Sequence, residues 1–383
     1  MVNMETQDSI SADEIALYDR QIRLWGVQAQ EKLRSANILL ITFKALANEV
    51  AKNLVLAGIG SLTIVDDAIV TEEDLGAQFF INQDCIGQNR AQAAAPAVRS
   101  MNPRVQLHID TDNIANKPPE FFGQFDITIA TELSFSMYAS INAVCRLAGR
   151  PFYAAGLHGF YGFVFADLIQ HDFVIERSQS NVASATRETL TRTILDIKTK
   201  RENEKVIEMV TKREMYSPLL LANTSPLPED YTRLPRRRRQ VTPLLSCLRA
   251  TWEFQKLSQG RLPTFGDDLQ LFLKLASDVH QELKLDIASI DAEFVRKWLE
   301  NLGSELSPVA AFLGGSLAQD VINVLSAREQ PLQNLLLFDG ERSVAPIYPL
   351  HPFFPPEVEN AMPAIAPVAN PIPLNGHPGV GSL

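Results

Sequence analysis

Asp66 closes an apolar run, Leu62-Thr63-Ile64-Val65, and lies 24 residues beyond Thr42, which itself follows the run Ile38-Leu39-Leu40-Ile41. That spacing is the layout of a dinucleotide-binding strand–turn–helix–strand unit, in which an acid at the end of the second strand takes a ribose hydroxyl. The glycines of such a unit are absent. A G-x-x-G-x-G spacing would fall on Thr42, Ala45 and Ala47. Glycine serves there because a Cβ blocks close approach of a phosphate to the backbone and restricts the turn. The layout of a nucleotide site is therefore present without its phosphate cradle. Asp66 also has an ordinary reading, as a turn or cap residue.

Other chemically able side chains carry weaker patterns. Lys52 lies on the helix after Thr42 and reads as a phosphate contact or as an outward-facing lysine. Cys85, Cys145 and Cys247 are far apart, with no activating base near them in sequence. They form neither a disulfide scaffold nor a C-x-x-C metal site, and their number suits a reducing compartment. No metal site is expected. His158 and His171 fall in an aromatic segment, where lone histidines are usually structural. The run Arg236-Arg237-Arg238-Arg239 reads as a nuclear-import signal or a charged loop.

The elements that position these residues follow from periodicity. Residues 13–35 read as helical, with Tyr18, Ile22, Trp25 and Leu33 forming an apolar stripe and Arg20, Gln21 and Arg23 elsewhere on the surface. A helix is expected over Asn48–Ala57, ended by Gly58. Strands are expected near Val105–Ile109, Phe125–Ala130 and Pro151–Gly156, with a helix at Phe135–Ala148. Strands alternating with helices of this length predict an α/β fold, a mostly parallel sheet with helices on both faces. The segment from Gly156 to Glu176 reads as strands or hairpins. From about 178 to 243 the chain is polar and broken by prolines, which suggests a mobile insertion. Asp267 or Asp268 is expected to cap one helix and Asp291 another, and Ser307-Pro308 to open a third. Gly314-Gly315 within that third helix implies close approach of a neighbouring backbone. Residues 351–383 hold eight prolines and read as a disordered tail beyond a main domain of residues 1–350.

Bulk properties exclude some classes. A net charge of −10 argues against broad contact with nucleic acid. No apolar run approaches the roughly 18 residues needed to span a bilayer, and residues 1–14 lack a signal-peptide pattern. Neither nucleic acid nor membrane is expected as a partner.

Several segments together resemble the ubiquitin-like-protein activating enzymes of the ThiF superfamily, and within them the non-catalytic subunits of SUMO-activating heterodimers. The carrying residues are Tyr18-Asp19-Arg20-Gln21-Ile22-Arg23-Leu24-Trp25-Gly26, then Glu49-Val50-Ala51-Lys52-Asn53-Leu54 with Ala57-Gly58. Gly76-Ala77-Gln78-Phe79, Phe121-Phe122 with Gln124-Phe125-Asp126, and Pro308–Gln319 with Phe338-Asp339-Gly340 complete the match. It covers roughly residues 13–177 and 240–342. The nine-residue motif does not separate the SUMO branch from the NEDD8 branch; chain length and the modest insertion favour SUMO.

That resemblance implies a pair of related adenylation folds of which one is active. In the active fold, glycines, an Asn-x-x-Arg-Gln-Phe-like segment, a lysine and an Asp–Asn pair serve ATP and magnesium. This chain has Ala77 in place of the arginine and Gln88 and Arg90 in place of the lysines, and Thr131–Ser136 holds no Asp or Asn. SUMO-branch subunits often keep glycines where Thr42, Ala45 and Ala47 stand. The resemblance thus implies a regulatory half that does not adenylate alone, with ATP and Mg on the catalytic partner subunit and SUMO reached through the complex. An arginine of the motif is implied to reach across to the partner's ATP: Arg20 first, Arg23 as the alternative. Asp66 is left as a degenerate ribose site. Apolar faces at Phe79-Phe80-Ile81 and on the helix from Pro308 are expected as dimer surfaces, and a nuclear location with some cytoplasmic protein goes with the family role. The rival readings are a stand-alone ThiF-type adenylating enzyme and an NAD-dependent dehydrogenase, and the missing glycines count against both.

Overall fold

The computed structural model describes residues 10–179, 186–202 and 205–352. Strands β1 (Asn37–Ile41), β2 (Ser61–Val65), β3 (Gln106–Asp110), β4 (Ile127–Thr131), β5 (Phe152–His158) and β6 (Tyr161–Asp167) come first. Then follow β7 (Gln170–Ser178), β8 (Arg192–Glu202), β9 (Lys205–Met215), β10 (Leu335–Asp339) and β11 (Ile347–Tyr348). Eight of them form one sheet in the order β11-β10-β6-β5-β4-β1-β2-β3. Pairings from β3 to β5 are parallel, and the β6, β10 and β11 edge is antiparallel. Because β1 lies between β2 and β4, the chain leaves it toward opposite sides, which creates the crevice where open α/β sheets bind ligands.

The helices are α1 (Ala12–Leu17), α2 (Asp19–Trp25), α3 (Val27–Ser35), α4 (Ala45–Ala57), α5 (Arg90–Met101), α6 (Pro119–Phe122) and α7 (Phe135–Leu147). The later ones are α8 (Leu219–Thr224), α9 (Glu229–Arg233), α10 (Pro235–Arg238), α11 (Leu244–Leu257), α12 (Leu269–Glu282), α13 (Ala292–Asn301) and α14 (Ser307–Ser326). Strand alternation divides them into two layers. Ile38 and Leu40 of β1 join the core beneath α4, α5 and α14, while Leu39 and Ile41 join the core beneath α7, α11 and α12. Helices on both faces of a mostly parallel sheet are as expected from the sequence. By length and composition α14 could cross a membrane, but its apolar residues Leu313, Leu317 and Val321 are fully buried in the first core.

Four local expectations change. Helix α4 begins at Ala45, three residues before Asn48, although Lys44 offers it no side-chain cap. The cap comes from Glu305 instead, whose Oε1 accepts the Ala45 amide at 2.9 Å. Within α14, a Cβ on Gly314 would stand 2.5 Å from Glu49 Cβ and 3.1 Å from the Leu46 carbonyl oxygen, so α4 does approach closely there. Gly315 has nothing within 4 Å of such a Cβ, and the close approach belongs to Gly314 alone. Asp268 stands at the start of α12 without a side-chain capping bond. Arg261 and Thr264 take its carboxylate instead, and hydrogen bonds from both hold it well below the ordinary carboxylate range.

The fourth concerns residues 178–243. Composition suggests no regular structure in this segment, yet its described residues carry β8 and β9, which with β7 make a three-stranded antiparallel sheet. Several pairs of oppositely charged residues face one another across the ladder. Asp172 lies opposite Arg213, Arg177 opposite Glu208 and Arg192 opposite Glu214, and each pair is joined by an ion pair. Opposite charges at facing positions stabilise a sheet, so polarity here marks pairing. Asp291 caps α13 as expected, accepting the Phe294 amide at 2.7 Å. The proline-rich tail lies outside the described residues from position 353 onward.

Candidate functional site

The crevice beside β1 keeps a turn suited to glycine. Thr42 follows β1 in the left-handed region at φ +65°, an uncommon conformation for a β-branched residue. The Thr131 hydroxyl braces it, donating to the Thr42 and Ile41 carbonyls at 2.7 and 3.1 Å. From this turn the backbone amides run into the N-terminus of α4, where a phosphate would be expected. Carboxylates of the chain itself take them. Phe43 N–H donates to Asp66 Oδ2 at 2.7 Å and Ala45 N–H to Glu305 Oε1 at 2.9 Å.

A buried cation completes the arrangement. Arg90 and Asp66, each 5% exposed, form a two-pronged ion pair, and the same guanidinium reaches Asp74 Oδ1 at 3.3 Å. Gln78 then bridges Asp74 (2.6 Å) to the second oxygen of Glu305 (3.4 Å). Burial opposes ionisation of Asp74, but hydrogen bonds from Thr71 and the charge of Arg90 win, holding its carboxyl below the ordinary value. The position expected to lack a phosphate lysine thus holds a cation, turned onto two internal acids. Asp66 has its lone pairs engaged by Phe43, Ala68 and Arg90. The residues present do not fit a polyphosphate. Its charge would meet Asp66 and Glu305 at the amides it needs. Nor, among the described residues, do three or more His, Cys, Asp or Glu side chains converge as a metal site.

Beside this network is a cavity of about 250 Å³ lined by Ile41, Thr42, Asp66, Asp67, Glu132 and Met137, among others. Thr131–Ser136 indeed holds no Asp or Asn, but its Glu132 faces this cavity at φ +52°. Burial, reinforced by the neighbouring charge of Glu305, pushes the Glu132 carboxyl up to about 8, and the Leu157 amide donates to it at 2.7 Å. Neither Glu132 nor Glu305 was singled out from sequence. No local motif marks Glu305, which reaches Ala45 across 260 positions.

The Tyr18–Gly26 motif sits at the other end of α4. Tyr18 packs against Gly58, where any Cβ would strike its ring at 2.5 Å, and its hydroxyl accepts from Asn102 at 2.8 Å. Gln21 donates to the Leu56 carbonyl, and Gln30 to that of Ala57. Trp25 is held in turn by Gln30 at 3.0 Å. With those contacts fixing the helix, Arg20 is exposed and has no hydrogen-bond or ion-pair partner among the described residues. Arg23 is exposed too, but Asp19 holds it at 3.0 and 3.2 Å. Helix α4 has 13 residues, so roughly 18 Å of helix at 1.5 Å per residue separates this motif from the crevice. Arg20 and Asp66 are not brought together.

The remaining candidates have local partners. Lys52 pairs with Glu49 and lies 5.4 Å above the Phe79 ring. Cys145 and Cys247 are buried, and desolvation raises both thiols, the first to about 11. Cys85 donates weakly to Asn82. His158 is packed on Trp298 and accepts the Gly303 amide, and burial lowers it to about 4. Burial likewise lowers His171 to about 4. Of the expected apolar faces, Phe79 is 46% exposed while Phe80 is buried against Phe43. On α14, Phe312 is 44% exposed and stacks on Phe338 at 4.4 Å. Arg236–Arg239 are exposed, with Arg237 paired to Asp230 at 2.7 Å.

Residues 18–352 match the model of the ThiF family. The chain is 36% identical over 347 residues to the DNA damage tolerance protein RHC31 of Saccharomyces cerevisiae, covering 89% of this chain and 98% of that protein. It is 35% identical over 339 residues to SUMO-activating enzyme subunit 1 of Bos taurus, and 34% identical over 339 residues to the protein of that name in Homo sapiens. Each of those two alignments covers 88% of this chain and 95% of the relative.

Proposed function

The chain belongs to the ThiF family, and from that premise we propose that it is the non-catalytic subunit of a SUMO-activating heterodimer. The observation that carries this reading is its similarity, along nearly the whole length of both proteins, to proteins named SUMO-activating enzyme subunit 1. Enzymes of this class activate a ubiquitin-like modifier with ATP and Mg. In the proposed arrangement both are held by the catalytic partner subunit. The assembled enzyme adenylates the C-terminal carboxylate of SUMO and passes the acyl group to a cysteine of the partner. The closed crevice at Asp66, Arg90 and Glu305 supports placing the nucleotide elsewhere than on this chain.

The contribution of this chain is then an interface and one side chain. Arg20 has no partner among the described residues, is fixed at its backbone by Tyr18 and Gln21, and lies at the far end of α4 from the chain's own crevice. A group so placed is suited to a site on a neighbouring subunit. There its fork of donors, charged at every relevant pH, would stabilise charge developing on pyrophosphate. Such an arrangement makes activity conditional on assembly. Exposed Phe79 and Phe312 are the proposed contact faces, and the exposed Arg236–Arg239 run supports a nuclear location with a cytoplasmic pool.

The test is ATP–pyrophosphate exchange with SUMO, comparing the purified chain with the chain bound to its partner. Exchange by the complex alone is the expected result. Exchange by the isolated chain refutes the assignment of nucleotide to the partner, and exchange by the complex only with NEDD8 moves the chain to that branch.

A further inference from the structure

The N-terminus of α4 carries the positive end of a 13-residue helix and, in the layout of this fold, the amides that face a phosphate. In this chain Glu305 already sits there. Its Oε1 takes the Ala45 amide at 2.9 Å, and its Oε2 lies 3.4 Å from Gln78. The residue comes from the loop just before α14, so the contact ties the starts of two packed helices together. Charged groups around the position are Asp66, Asp74, Glu132, Arg90 and Lys44. Arg90 is already committed to two of those acids.

We propose that Glu305 is a built-in anion: it occupies the phosphate position of the crevice, caps α4 in place of a ligand, and closes the site to phosphate-bearing molecules. The turn lacks glycines, but the Glu305 carboxylate decides what sign of charge the Ala45 amide can accept. The inference rests on the ThiF assignment and not on the choice of SUMO as modifier. Its test reads ligand binding to this chain alone, whereas the functional test reads turnover by the complex, so the two can fail separately.

Thermal unfolding of the full chain, with inorganic pyrophosphate or formate added at constant ionic strength, supplies the experiment. For the wild-type chain no saturable shift of the midpoint is expected with either anion. Glu305→Ala should unfold at a lower temperature, because it orphans the Ala45 amide. It should then be restored saturably by formate, which refits the carboxylate hole, and by pyrophosphate, which the freed Ala45 amide accepts. Should that variant fail to fold, Glu305→Gln keeps the size and one acceptor oxygen while removing the charge, and a saturable shift with pyrophosphate is expected for it. A pyrophosphate shift in the wild-type chain as large as in the variants overturns the proposal, as does no anion response in either variant. Rescue by formate alone would keep Glu305 as the cap of α4 but overturn its role as the barrier to phosphate.

Discussion

Arg90 grips Asp66 through two parallel hydrogen bonds, Nε to Oδ2 at 2.8 Å and Nη2 to Oδ1 at 3.2 Å, with both side chains almost wholly out of solvent. A third nitrogen holds Asp74. Removing one partner from such a cluster strands an uncompensated charge, at a cost of about 3–5 kcal/mol. Arg90→Ala is therefore expected to lower unfolding free energy by that order, measured by urea denaturation. Asp66→Asn should also destabilise the chain. It should leave the Michaelis constant for ATP of the assembled complex unchanged, and a raised constant would return Asp66 to a role at nucleotide.

Arg20 and Arg23 differ in what already holds them. Arg23 is bound by Asp19 on its own helix, and Arg20 has no such tether among the described residues. Arg20→Ala is expected to cut pyrophosphate exchange by the assembled complex about 100-fold or more, in the range seen when a charge-stabilising donor is lost. Arg23→Ala should change it less than about threefold, since an exposed i,i+4 pair is worth only a few tenths of a kcal/mol. Reversal of the two results would assign the reaching arginine to Arg23, and two silent variants would remove the trans-arginine idea.

Much of this architecture was legible because it is written locally. The β1–α4–β2 unit announces itself through two apolar runs flanking a helix that ends in Gly58, and Asp291 caps α13 from the position where an Asx residue ought to stand. What was not legible depends on distance in the chain. Ala45 could not be read as the start of α4 because its cap is 260 positions away. The sheet of β7, β8 and β9 looked like a polar insertion because several of its charges are satisfied across the ladder, as Asp172 is by Arg213. Arg90 was readable as a departure from a lysine, but only the fold turns it onto Asp66 and Asp74. Glu132 escaped because Asp and Asn were the residues expected at that strand end.

Glu132 gives the crevice a pH dependence. Burial and the charge of Glu305 move its carboxyl from the ordinary 4.5 to about 8 in the folded chain. Between those values the folded state keeps a proton that the unfolded state has released. Stability from this group is therefore fully present below about pH 4.5 and falls as pH rises towards 8, where it levels off. Glu132→Gln keeps an acceptor for the Leu157 amide and has no proton to lose. The melting temperature of the variant should exceed that of wild type by a margin of a few degrees that grows from pH 5 to pH 8. Asp320, buried and raised to about 6, pulls in the same direction but is common to both proteins and cancels in the difference. A margin that is flat across this range would mean that Glu132 titrates normally.

The contact of α4 with α14 places two adjacent glycines in opposite surroundings, so they should respond oppositely to the same change. A methyl on Gly314 would sit 2.5 Å from Glu49 Cβ, 3.1 Å from the Leu46 carbonyl oxygen and 3.3 Å from the Val50 amide nitrogen. All three are backbone or backbone-proximal atoms of a packed helix, so relief requires α4 and α14 to separate. Overpacking of that kind costs about 1–3 kcal/mol. It would also loosen the approach of Glu305, which leads into α14, to Ala45 at the head of α4. On Gly315 a methyl meets nothing, and alanine there gains up to about 1 kcal/mol from helix propensity and from a less flexible unfolded chain. Gly314→Ala is thus expected to lower, and Gly315→Ala to hold or raise, the denaturation midpoint of the isolated chain. Equal losses at both positions would show that Gly315 is also confined by a neighbour, and equal tolerance would show that the two helices are not held at the spacing described.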